Sequence, residues 1–69
     1  MENNIKKFRE KQSFTQEQLA QLSGVSRQSI ISIEKGYYTP TTILALKLAE
    51  VLKAKVEELF VLEKNDWNQ

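Results

Sequence analysis

Cysteine and histidine are both missing from these 69 residues. That excludes a disulfide framework, the usual zinc sites and any histidine-based catalytic triad. Only two glycines, Gly24 and Gly36, are present, too few for a glycine-rich phosphate loop. The single proline, Pro40, leaves no proline-rich linker. No run of eighteen apolar residues exists, so no membrane-spanning helix is expected. The N-terminus has no apolar signal region, and the expectation is a cytoplasmic protein with no membrane partner. Nothing points to a metal, a cofactor or a small-molecule ligand. The length allows one domain, residues 1–69, and a core this small is marginal alone. Without disulfide or metal, oligomerisation is the remaining common staple.

Catalysis has little to work with. The candidate groups are Ser, Thr, Tyr, Lys and carboxylates. The Glu57-Glu58 pair points about 100° apart on a helix and reads as solvated charge. No enzyme and no catalytic residue is expected. Net charge is only +1, but residues 1–40 carry six Lys/Arg against four Asp/Glu. Residues 41–69 carry four against five, so the first part is the more basic, as nucleic-acid binding favours.

What is present centres on residues 15–35, TQEQLAQLSGVSRQSIISIEK. Thr15 and Gln18 form a T-x-x-Q capping box, and Leu19, Ala20 and Leu22 give the first helix an apolar side. Gly24 follows the last periodic residue, where a left-handed backbone suits glycine, and Val25 plugs the corner. Ser26 caps a second helix in which Ile30 and Ile33 share one face. Its other face carries Gln28, Ser32 and Lys35, with Arg27 at its start. Those groups suit base edges and phosphates. Two short helices at a steep angle, the second with such a wet face, predict a helix-turn-helix. Ile31 has two readings: a half-buried edge residue, or a contact to a thymine methyl.

The motif set Thr15-Gln16-Glu17-x-Leu19-Ala20, Gly24-Val25-Ser26 and Ile30-x-x-Ile33-Glu34-x-Gly36 resembles the Xre/Cro/C1 repressors. Pro40 and the run Ala45-Leu46-Lys47-Leu48-Ala49 extend the resemblance over roughly residues 3–62. It is nearest to the minimal one-domain subgroup exemplified by the cytolysin repressor. The resemblance implies an all-α, compact, five-helix lambda-repressor-like domain. It implies a sequence-specific regulator of double-stranded DNA, a repressor binding an inverted-repeat operator as a homodimer. The rival reading is an antitoxin or protein-interaction module on the same fold. On the first reading Arg27, Gln28, Ile31 and Ser32 read bases. Thr15, Gln16, Ser26, Lys35, Tyr37 and Tyr38 hold phosphates, with Gln16 also bracing Gln28. Arg9 is either a solvated charge or, as the resemblance implies, the partner of Glu34.

The rest of the chain supplies the frame. Residues 3–12 predict a helix with Ile5 and Phe8 buried, capped by Asn3 or Asn4. Phe14 stands before the Thr15 cap as a core residue. Gly36 stops the recognition helix, and Pro40 holds Thr39 out of helical geometry. Of Tyr37 and Tyr38, one is expected over the core and the other at a phosphate. Thr41 caps a helix over Thr42–Leu52, with Ala45, Leu48, Ala49 and Leu52 as its core stripe. Residues 55–60 predict a last helix, and Val61–Lys64 a short strand. Residues 63–69 read as a polar tail in which Trp67 is either frayed or docked on a partner. Leu44, Val51, Val56, Leu59, Val61 and Leu62 look like apolar excess and are the expected dimer interface.

Overall fold

The computed structural model describes residues 1–68. Gln69, the end of the expected polar tail, lies outside the described residues. The elements run β1 (Glu2–Asn3), α1 (Ile5–Lys11), α2 (Gln16–Ser23), α3 (Arg27–Glu34), α4 (Thr42–Leu52), α5 (Val56–Leu59) and β2 (Phe60–Val61). A 3-10 turn over Lys64–Asn68 follows. The architecture is thus helical, with one small two-stranded sheet.

Side-chain caps fix the helix starts. The Thr15 hydroxyl accepts from the Gln18 N–H at 3.0 Å, and the Gln18 side chain accepts the Thr15 N–H at 2.8 Å. Ser26 and Thr41 accept from the Ser29 and Leu44 N–H groups. Glu58 is more than a solvated charge, because its carboxylate accepts the Lys55 N–H at 2.8 Å at the start of α5. At α1 the Asn4 side chain makes no capping bond, while Asn3 Oδ1 accepts the Ile5 N–H.

Helices α1 to α4 all end the same way. The residue after the last full turn is left-handed: Ser13, Gly24, Gly36 and Lys53 have φ of 61°, 71°, 80° and 54°. The next N–H then reaches back to a carbonyl five residues earlier: Phe14 to Arg9, Val25 to Ala20, Tyr37 to Ser32, and Ala54 to Ala49. This is the Schellman arrangement, which satisfies the last orphan carbonyls.

The core is Ile5, Leu19, Ala20, Ile30, Ile33, Leu44, Leu48, Ala49, Leu52 and Leu59. Phe8, Phe14, Val25, Val51, Val56 and Phe60 pack around it. Two residues expected at the interface belong to the core instead. Leu44 is 6% exposed and Leu59 fully buried, so both serve the chain's own core. The stripe of α4 runs through Leu44, Leu48 and Leu52, spaced by four, so the apolar excess lies elsewhere. Leu22, expected on the inner side of α2, is instead exposed.

The strand is also shifted from Val61–Lys64. β2 is Phe60–Val61, antiparallel to β1 with Glu2 opposite Val61 and Asn3 opposite Phe60. Asn4 N–H donates to Leu59 O at 2.8 Å and extends the pairing. Its partner strand is only two residues long, and pairing ends before Leu62. The tail is tied back, not loose. The Met1 ammonium lies 2.8 Å from Glu63 and 3.4 Å from Asp66. The hydrogen bond to Glu63 raises the Met1 amine pKa, and the Glu63 N–H holds the Asp66 carboxyl low. Trp67 nevertheless remains exposed.

Candidate nucleic-acid interface

Burial orients the recognition helix. Ile30 and Ile33 are fully buried and fix one face of α3 against Leu19 and Ala20 of α2. The remaining arc must face outward. It presents Arg27, Gln28 and Lys35 exposed to solvent, with Ile31 and Ser32 half-buried at its edges. The four base-reading candidates therefore sit on one helix, with Ile31 at the margin. Gly24, with an open left-handed backbone and no neighbour at its missing Cβ, sets the turn between the helices.

The phosphate candidates flank that arc. Thr15 and Ser26 sit at the starts of α2 and α3, where free N–H groups and the helix dipole favour anions. Their hydroxyls are occupied by capping, and the Thr15 N–H is taken by Gln18 as well, so the N–H groups of the first helical residues behind each cap are what these ends offer. The Ser26 hydroxyl also lies 3.1 Å from that of Ser29. Ser29 shares a shallow open concavity with Gln28, Ser32 and Tyr38. Sequence reasoning does not single out Ser29; the Ser26-x-x-Ser29 spacing is the signal that finds it.

The tyrosines depart from expectation. Neither covers the core. Tyr38 lies beside the wet face of α3, and Tyr37 is 81% exposed. The tight Schellman turn at Gly36 directs the chain along the recognition helix and away from the core.

Behind the arc lies a buried ion pair. Arg9 Nε donates to Glu34 Oε2 at 2.6 Å and Nη2 to Oε1 at 3.4 Å. Arg9 Nη1 donates to Phe14 O at 2.9 Å, so the guanidinium joins α1, the turn after it and α3. Gln16 does not brace Gln28. Its Nε2 donates to Glu34 Oε1 at 3.1 Å. The carboxylate draws the amide inward because it is a charged, covered acceptor already held in place.

The expected dimer residues scatter. Val51 and Val56 are half-buried against the core, while Val61 and Leu62 are 40% and 57% exposed. Ile43 and Leu46, three apart on the outer side of α4, are 68% and 57% exposed. That spacing is visible in the sequence but is masked by the richer run around it. Leu46 opens onto a groove with Met1, Pro40, Ala45, Val56 and Phe60. Among the described residues no helix is long and apolar enough to cross a membrane.

Comparison with known proteins agrees with this geometry. The helix-turn-helix family pattern matches residues 5–59. An uncharacterised helix-turn-helix-type transcriptional regulator of Methanocaldococcus jannaschii is 46% identical over 96% of this chain and its own full length. The corresponding regulator YgzD of Bacillus subtilis is 39% identical over 96% of this chain and all of its own. Among solved structures, the restriction-modification controller protein C.AhdI from Aeromonas hydrophila superposes with a TM-score of 0.75 and 34% identity. That superposition covers 81% of this chain and 85% of the controller protein. The buried inner face of α3, the open polar arc and the matched pattern converge: the chain belongs to the helix-turn-helix family of Xre/Cro/C1 type, whose members are DNA-binding transcription regulators and not enzymes.

Proposed function

We propose that this regulator is a repressor that binds an inverted-repeat operator as a homodimer in the cytoplasm. The observation that carries the DNA-reading part is the open arc of α3. Arg27 and Gln28 are exposed on a helix whose opposite face is locked by Ile30 and Ile33. Arginine suits guanine O6 and N7, glutamine suits adenine N6 and N7, and Ser32 serves either. Ile31 at the margin fits a thymine methyl. Lys35, Gln16, Thr15, Ser26, Tyr37 and Tyr38 then hold the flanking phosphates. Occupying a promoter is enough to block it, which makes repression the simplest outcome of such binding.

The homodimer follows from reach. The molecule is 35 Å in its longest dimension and carries one recognition helix. Successive major grooves on one side of DNA lie about 34 Å apart. A second copy related by a two-fold axis fills the second groove and matches a palindrome. The apolar groove at Leu46, lined also by Val56 and Phe60, is the face that supports this pairing.

Selection from a random duplex pool tests the reading. The expected product is an inverted repeat with half-sites about one turn apart. Gln28→Ala should relax preference at one base pair, each good bidentate contact being worth about 1–3 kcal/mol. Undiminished affinity of both Arg27→Ala and Gln28→Ala for the selected duplex would falsify the assignment. A polar arc on α3 is the wrong surface for the rival protein-interaction module, whose centre should be apolar and aromatic.

A further inference from the structure

The Arg9–Glu34 ion pair accounts for two of the three side chains in its cluster. It leaves Gln16 unexplained. Gln16 is the first residue of α2, at the margin of the proposed interface, and its side chain is only partly buried. A glutamine there would ordinarily sample several rotamers in water. Instead its Nε2 donates to Glu34 Oε1 at 3.1 Å. The orientation is fixed by chemistry, since an ionised carboxylate accepts only and must face the amide nitrogen. Glu34 itself is held. Its side chain is 6% exposed, and Arg9 grips both of its oxygens from α1. Arg9 is anchored in turn by Phe14 O.

We propose that Glu34 is a positioning residue for DNA binding and acts through Gln16. This rests on the interface described above. One Nε2–H of Gln16 is held by the carboxylate, which leaves the second to donate to a phosphate beside the start of α2. Arg9 has a second part in this. Its charge offsets the carboxylate, so an acidic group stands close behind the backbone contact without repelling the phosphate. Ordering a rotamer-rich side chain before binding removes part of the cost of ordering it on the DNA. That is worth about two- to tenfold in affinity per half-site.

The test uses a duplex selected by the wild-type protein. Glu34→Asp keeps the charge and lets the long Arg9 side chain follow, but it withdraws the carboxylate by one methylene from Gln16. Affinity should fall about two- to tenfold per half-site when Gln16 is present, and less than twofold in the Gln16→Ala background. Equal losses in both backgrounds would mean that Glu34 acts only on the fold, and the proposal would be overturned. Side-chain amide relaxation in the free wild-type protein keeps the test open even if Glu34→Asp does not fold. The Gln16 NH₂ should be markedly more ordered than that of exposed Gln21, and equal mobility refutes the proposal. Arg27→Ala and Lys35→Ala separate the two levels. If they weaken binding while the Gln16–Glu34 cycle shows no coupling, only the positioning role fails. If they leave binding intact, the α3 interface fails and the positioning role with it.

Discussion

At the scale of single residues, burial decides which polar groups carry structural weight. Arg9 is 9% exposed and its whole guanidinium edge is bonded inside the protein. Removing one partner of such a pair strands the other, at about 3–5 kcal/mol, whereas replacing both with apolar residues is often close to neutral. Arg9→Met and Glu34→Leu should therefore each lower the thermal midpoint sharply, and the double variant should regain much of the loss. Additive losses would show that the two do not interact. Ser23 is the opposite case. It is 1% exposed and its hydroxyl has no hydrogen-bond partner among the described residues. A desolvated, unpaired hydroxyl costs about 1–3 kcal/mol, so Ser23→Ala should raise the urea midpoint with an unchanged m value. A lower midpoint would show that the hydroxyl has a partner in solution. Only the family resemblance implies the ion pair, since residues 9 and 34 lie on different helices and no local pattern links them. The unpaired Ser23 has no signature in the sequence, because burial of a helix-end serine is a tertiary fact.

At the scale of elements, the ends are where local chemistry is strongest. Two of the four left-handed helix ends use glycine, and two force a side chain into that region. Lys53 at φ 54° is exposed, and its N–H bonds to Glu50 O at 3.3 Å. The left-handed conformation costs an L-residue roughly 1–2 kcal/mol, and glycine returns part of that as extra chain entropy when unfolded. Lys53→Gly should stabilise the protein by up to about 1 kcal/mol in denaturant titration, while Gly24→Ala should destabilise it by a similar amount. A loss on Lys53→Gly would show that the lysine side chain makes a contact worth more than the strain. The same contrast explains what the sequence reveals. Capping motifs and glycines are local, so α2, α3 and α4 start where Thr15, Ser26 and Thr41 place them. The sheet is not local. β1 is two residues from the start of the chain, and it exists because Phe60 and Val61 come alongside it. The tail forms a 3-10 turn through reciprocal Glu63–Asp66 hydrogen bonds, and the distant Met1 ammonium docks on both carboxylates.

At the scale of the whole molecule, the question is what a fold this small leaves uncovered. Periodicity assigns the core of α4 correctly in kind but cannot choose among eight closely spaced apolar side chains. It therefore assigns Leu44 outward, and the packing turns Leu44 in and leaves Ile43 and Leu46 out. Of the exposed set, Leu46 and Met1 line one groove together with the half-buried Pro40, Val56 and Phe60. A lone exposed leucine needs no explanation, but an exposed leucine opening onto an apolar groove is a candidate interaction surface. If a second copy covers it, folding and association are linked, and the melting temperature must rise with protein concentration. Wild-type protein should sediment as a dimer at micromolar concentration without DNA. Leu46→Glu places a charge in the middle of that face and should give a helical monomer whose melting temperature no longer depends on concentration. Its affinity for one half-site should be unchanged, while its affinity for the full inverted repeat should fall. A Leu46→Glu variant that stays dimeric would move the interface elsewhere, with Val61 and Leu62 the next face to test. A wild-type monomer would leave pairing to the DNA itself. The salt dependence gives an independent count. Each neutralised phosphate contributes about −0.9 to the slope of log affinity against log salt. Arg27 and Lys35 are the cations on the α3 arc, and no cation lies between Gly36 and Leu46. With Arg27 on a base and Lys35 on a phosphate, two protomers then predict a slope of about −2 on the inverted repeat and about −1 for the Leu46→Glu monomer on a half-site. A much steeper slope would bring the lysines of α1 into the interface.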